Sequence, residues 1–210
     1  MKTYPKKIAI VGFGGFASEF YSYLMSDNIC QPQRVDFFVE SKYLPFEEIE
    51  NLFDLSYLVK NIDDYIVYVA IGDPKIRKKI VEYLPFSAVY GTFIHSSCII
   101  TGKDVSIGHG SIICPGTIIT TNVTIGKHSQ LNLQTSIGHD SVICDYFTSA
   151  PQVSISGNNF IGDLVYIGTN SCTKEKVTIM KNVTIGLNSG VVKDINEAGV
   201  YIGTPCIKIK

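Results

Sequence analysis

The chain has 210 residues, enough for one large domain or two modest ones, and 45% of it is hydrophobic, with 11 Phe and 12 Tyr, which excludes a disordered chain. A formal net charge of -1 gives no general attraction to nucleic acid or to an anionic membrane, so any anionic ligand must be held by local donors. The six cysteines (30, 98, 114, 144, 172 and 206) are widely spread, Cys98 and Cys114 being the nearest pair, which excludes a clustered metal or CxxC pattern and predicts reduced thiols.

The chain opens on a basic flank, Met1-Lys2-Thr3-Tyr4-Pro5-Lys6-Lys7, ahead of an apolar run that ends at Gly12. That run is too short for a membrane span, and no small-residue cleavage site follows it, so the expectation is a cytoplasmic protein without a membrane partner. Lys7 to Val11 predicts a β-strand, Gly12-Phe13-Gly14-Gly15-Phe16-Ala17 a glycine turn, and Ser18 to Leu24 a helix. Gly12, Gly14 and Ala17 fit a G-x-G-x-x-G/A pattern, in which backbone N–H groups at a helix start can approach a phosphate. Taken alone, the same turn could simply join strand to helix, or hold a dinucleotide. Val35 to Glu40 predicts a second strand, Tyr65 to Gly72 another, and Pro74 to Tyr83 a basic helix. The reading is a small Rossmann-like βαβαβ unit with a parallel sheet over residues 1–92, and a second domain over 93–210.

From Thr101 the chain divides into 15 six-residue blocks running to Gly190. Their first position is Ile or Leu in 12 blocks, the second is Gly in seven, and the fifth is Val, Ser or Thr in 13. A period of six suits neither a helix nor ordinary hairpins. It suits short strands that turn after every block and coil into a prism, with the aliphatic residue inward and glycine or asparagine at corners needing unusual dihedrals.

These blocks resemble the hexapeptide-repeat acyltransferases, whose repeat reads [LIV]-[GAED]-x-x-[STAV]-x. The resemblance implies a left-handed parallel β-helix with three blocks per coil, and a homotrimer with active sites at the subunit interfaces. Both halves together look like the sugar acyltransferases similar to sialic acid O-acetyltransferases and bacterial nucleotide-linked aminosugar N-acetyltransferases. The residues carrying that likeness are the Gly14-Gly15 turn, Ile71-Gly72-Asp73-Pro74-Lys75-Ile76-Arg77, Phe93-Ile94-His95-Ser96-Ser97 and Gly203-Thr204-Pro205. The turn departs from the common Gly-Gly-His-Gly, and the acidic cluster usual after the second strand is thinned to Glu40, with Asp36 inside the strand.

Of the four histidines, His139 stands out, at the third position of its block with Asp140 beside it. In the family the matching histidine is a general base and the following acidic residue orients it. With three blocks per coil, Gly157 lies one rung from His139, and the family's matching glycine presents its N–H to the thioester carbonyl. Asn132 matches a family asparagine near the acceptor. Thr148 stands where many relatives carry a second histidine. The resemblance implies acetyl-CoA as donor substrate without a metal, direct attack by the amine of a nucleotide-linked aminosugar, and no covalent intermediate. Gly12, Gly14, Gly15, Asp36 and Gly72 are then candidates for the sugar nucleotide, and Gly157, Gly186 and Pro205 for the coenzyme. The alternatives are O-acetylation of a sugar or sialic acid, another small acceptor, or a non-catalytic trimeric binding module.

Overall fold

The computed structural model describes residues 6–27 and 29–210. Most of the basic flank, residues 1–5, lies outside the described residues. By its internal contacts the chain separates into two compact units: residues 1–72 with 76–91, and residues 73–75 with 92–210.

The first unit is a parallel sheet with helices. Strand β1 (Lys7–Val11) leads through the glycine turn into α1 (Gly15–Ser26) and then β2 (Val35–Val39). Next come β3 (Leu52–Asp54), α2 (Leu55–Lys60), β4 (Tyr65–Val69), α3 (Pro74–Tyr83) and β5 (Val89–Tyr90), in sheet order β3-β2-β1-β4-β5. The parallel sheet is as expected, but β3, α2 and β5 add to the βαβαβ reading. β3 and α2 occupy only three and six residues, too few for a periodic signal. The helix starts because Asp54 accepts the Ser56 N–H at 2.8 Å as an N-cap. Ala9, Val11, Phe38, Leu58 and Val67 fill the core against the sheet.

The second unit is a left-handed parallel β-helix of two- to four-residue strands on three faces. The first face takes the strands around residues 94, 113, 131, 149, 167 and 185; the second those around 100, 119, 137, 155, 173 and 191; the third those around 107, 125, 143, 161 and 179. From residue 106 onward each coil takes three blocks, so that Ser136 pairs with Ser154 and Ile137 with Ile155. First-position Ile119, Ile137, Ile161 and Ile179 and fifth-position Val123, Val153, Val165 and Val183 form one continuous buried core. Each aliphatic side chain so buried contributes roughly 1.5–3 kcal/mol.

The structure corrects the repeat in two places. Ile100, not Thr101, pairs with Ile119, a step longer than three blocks by a single position, so the first block is displaced by an insertion before Ile107. The left-handed backbone falls on the fourth position of every block from Gly110 to Asn188, including His128, Asp140, Tyr146 and Leu164. Second-position glycines answer a different need. A β-carbon on Gly138 would lie 2.5 Å from the Gly157 nitrogen of the next coil, and Gly108, Gly162 and Gly168 meet the same obstruction. The far end is closed by a shorter coil, in which Ile185 pairs with Tyr201, and by an antiparallel strand at Ile207–Lys208.

Candidate functional site

In the first unit, the glycine turn opens into a cleft of about 540 Å³ lined by residues 11–16, Phe38, Val39, Glu40, Tyr43, Ala70, Ile71, Gly72, Ile76 and Ile80. Gly12 is required by the fold: its φ is 121°, and a β-carbon would stand 2.8 Å from the Ala70 carbonyl oxygen. Gly14 and Gly15 have open space on that side, so their missing side chains leave the cleft mouth clear. α1 begins here with no side-chain cap and no acidic residue in its first turn, an arrangement suited to an anion. Gly72 lines the cleft, and its carbonyl and that of Ile71 accept from the buried Arg77 guanidinium at 3.3 and 2.6 Å.

The structure does not bring Asp36 to this cleft. It is only 1% exposed, and its Oδ2 accepts from Lys7 Nζ at 2.9 Å and from the Tyr65 hydroxyl at 2.7 Å. It shares a strand face with Phe38 but stands near the start of β2, where Lys7 and Tyr65 enclose it, whereas the cleft opens at the strand's far end. Glu40, just past the strand, is the carboxylate that lines the cleft. A second cleft of about 620 Å³ adjoins it, sharing Glu40, Tyr43, Ile76 and Ile80 and adding Lys42, Asp54 and Lys79.

In the second unit, His139 and Asp140 occupy a corner between the second and third faces. The corner's left-handed turn is set by Asp140 (φ 58°), whose N–H donates to the Thr121 carbonyl at 3.1 Å. Asp140 Oδ2 lies 2.6 Å from His139 Nδ1, and Oδ1 accepts from Asn122 Nδ2 at 2.7 Å. The Asn122 amide first, and His139 after it, hold the Asp140 carboxyl below the usual carboxylate range. An ionised carboxylate only accepts, so His139 Nδ1 carries the proton, and in the neutral imidazole Nε2 is left with its lone pair. The imidazole is 59% exposed.

Gly157 lies against that ring on the next rung: a β-carbon there would stand 2.7 Å from Nε2. Its corner is braced by Asn159, buried at the fifth position, whose Nδ2 donates to the carbonyls of Ser156 at 2.7 Å, Lys174 at 3.1 Å and Gly157 at 3.3 Å. A histidine–carboxylate pair beside an unobstructed backbone can accept a proton and stabilise a developing oxyanion.

The other candidates stand elsewhere. Asn132 and Gly186 occupy the edge between the first and second faces, away from His139 within one chain. Asn132 Nδ2 donates to the Ser149 carbonyl at 2.9 Å, and Ile202 packs closely over Gly186. Pro205 belongs to the closing turn before Ile207–Lys208. Thr148 is buried on the first face. His128 is buried, stacked on Tyr146 at 5.3 Å and edge-on to His109 at 5.2 Å, a structural arrangement. His95 Nδ1 accepts the Ser97 N–H at 3.1 Å in a local turn. Burial, and then Asp163 and Asp145, push the Cys144 thiol up, away from nucleophilic use. Among the described residues no cluster of His, Cys, Asp or Glu could hold a metal ion, and no helix is long and apolar enough to cross a membrane. Sequence reasoning missed Asn122, although it stands three blocks before Asp140 in the same block position.

Coiled hexapeptide blocks with a histidine–carboxylate corner follow a glycine-turn α/β unit, an arrangement similar to that of sugar acyltransferases. Residues 7–84 match the PglD N-terminal domain family, and the chain as a whole is similar to the hexapeptide-repeat sugar acyltransferases. A 109-residue segment is 31% identical to GDP-perosamine N-acetyltransferase of Escherichia coli, covering 52% of this chain and 49% of that protein. The match thus spans about half the length of that curated relative. The solved structure of WeeI from Acinetobacter baumannii is 28% identical, with a TM-score of 0.86 over 98% of this chain and 100% of that one. PerB from Caulobacter crescentus, solved with CoA and GDP-perosamine, superposes with a TM-score of 0.84 at 20% identity, over 97% of both chains, and shows the same fold.

Proposed function

We propose that the protein transfers the acetyl group of acetyl-CoA to the amine of a nucleotide-linked aminosugar, with His139 as general base. The observation that carries this reading is the corner itself: a proton-accepting Nε2, an ionised Asp140 behind the ring, and a side-chain-free Gly157 against it. His139 Nε2 takes a proton from the ammonium, and the amine attacks the thioester carbonyl. The N–C bond forms, the C–S bond breaks, and the thiolate leaves and is protonated. The Gly157 N–H would receive the developing oxyanion. No covalent intermediate is needed, which suits a chain whose Cys144 thiol is held protonated.

The glycine-turn cleft would hold the nucleotide, its phosphates at the start of α1, with Gly12, Gly14, Gly15 and Gly72 along the contact. The names of the similar proteins favour a GDP-linked 4-amino sugar as the first acceptor to try. A homotrimer fits the exposure of His139, since a neighbouring copy could bring Asn132 to the acceptor and Gly186 and Pro205 to the coenzyme. The test is thiol release from acetyl-CoA with UDP-, GDP- and dTDP-linked 4-amino sugars and CMP-sialic acid. Turnover on one aminosugar is expected. Turnover on CMP-sialic acid alone would replace N- by O-acetylation, and none on any would overturn the reading.

A further inference from the structure

Asn122 and Asp140 occupy the same position of consecutive rungs, both in the left-handed region, with φ of 54° and 58°. Stacked this way, their side chains leave the corner in parallel, and the Asn122 amide meets the carboxylate oxygen that His139 does not use. We propose that Asn122 is a positioning residue for the reaction: it fixes the Asp140 carboxylate so that His139 is held with Nδ1 protonated and Nε2 open. This inference rests on His139 being the base.

The physical case is one of degrees of freedom. A carboxylate on an exposed corner can rotate about its side-chain bonds, and Asp140 has its side chain 44% exposed. One bond, to His139, leaves it free to swing out to water; a second bond on the other oxygen from a different rung removes that freedom. The amide is also the leading cause that holds the Asp140 carboxyl below its usual range, with His139 after it. The adjoining rungs present no competing charge at their third and fourth positions: Thr121 and Asn122 on one side, Gly157 and Asn158 on the other. The nearest charged corner residues, Lys103 and Asp104 on one side and Lys174, Glu175 and Lys176 on the other, lie two rungs away, roughly 10 Å at ordinary strand spacing. Lys174 is moreover paired with Glu175 at 3.9 Å. The bond from Asn122 is therefore the specific influence on the pair.

Asn122→Gly removes the amide while leaving the corner free to keep its left-handed backbone, and Asn182→Gly, at the same block position on another edge, controls for the freedom a corner glycine adds. Two readouts serve. On the free protein, nitrogen-15 NMR of the histidines reports the His139 tautomer; the Nδ1–H form should dominate in wild type and lose ground in Asn122→Gly. With acetyl-CoA and GDP-perosamine, or whichever aminosugar nucleotide the thiol-release panel shows to turn over, kcat should fall by about tenfold with both KM values unchanged. That loss should vanish in an Asp140→Ala background, because the amide then has nothing to hold. An unchanged tautomer balance, an unchanged kcat, or an equal loss in both backgrounds would overturn the inference while leaving the base intact. His139→Ala is measured alongside: near wild-type activity there would overturn the base itself, and this inference with it.

Discussion

Gly157 lies one coil from His139 and so close to its ring that a β-carbon would stand 2.7 Å from Nε2. The neighbour in the way is the exposed end of a rotatable side chain, not backbone. Gly157→Ala should therefore leave the β-helix folded, with a melting temperature near that of wild type, while pushing the imidazole off its position. A displacement of this size should lower kcat by roughly 10²-fold. A thermal melt and a steady-state assay on the same preparation check both halves; full activity would show that the ring has room to spare.

Asn159 should matter for the fold of that corner. It is 2% exposed and gives its amide to the carbonyls of two rungs. Asn159→Ala removes the amide donor from the Lys174 carbonyl and leaves that of Ser156 with the Ser141 hydroxyl, and is expected to cost about 1–3 kcal/mol. Denaturant unfolding would register it as a lower midpoint at unchanged slope. No change in midpoint would mean that water replaces the amide without loss.

The glycine turn separates a folding glycine from two that clear a cleft. Gly12→Ala meets the Ala70 carbonyl and a φ of 121°, and should destabilise the first unit by about 1–3 kcal/mol. Gly15→Ala meets nothing within 4 Å and should melt like wild type, but bind a sugar nucleotide more weakly, as calorimetry would show. Equal melting temperatures for both variants would contradict the assignment.

Burial, and after it the bond to Asp36, raise the Tyr65 phenol well above its usual pKa. A folded pKa above the unfolded value means that the stabilisation is complete below about pH 10, the unfolded phenol's range, and is lost as pH rises beyond it. Melting temperature should thus decline from pH 9 to 11, and Tyr65→Phe should flatten that decline. An identical slope in the variant would place the alkaline sensitivity elsewhere.

Much of the β-helix was legible because one environment recurs: Ile119, Ile137 and Ile155 all face the same narrow axis, so the same residue type returns. The slip at Thr101 was not, because a strict period of six carried back from Ile107 lands on Thr101, and the pairing of Ile100 with Ile119 reveals the extra residue. The left-handed corners are not confined to glycine and asparagine, for a related reason. Their fourth positions hold Leu164, Tyr146 and Lys176 as well as asparagines, since the coil imposes the dihedral and the residue type need not announce it. His139, Asp140 and Gly157 could be read as one site from the three-block register, and the same register would have yielded Asn122. Asp36 misled because a carboxylate in a strand looks like a ligand until its burial with Lys7 and Tyr65 is seen.

The most direct test of the account is the activity of His139→Ala. The variant should keep its fold and bind acetyl-CoA, while kcat falls by about 10²–10⁴-fold, the usual contribution of general acid–base catalysis. Activity within a few-fold of wild type would contradict the assignment of His139 as base, and the chemistry built on this corner with it.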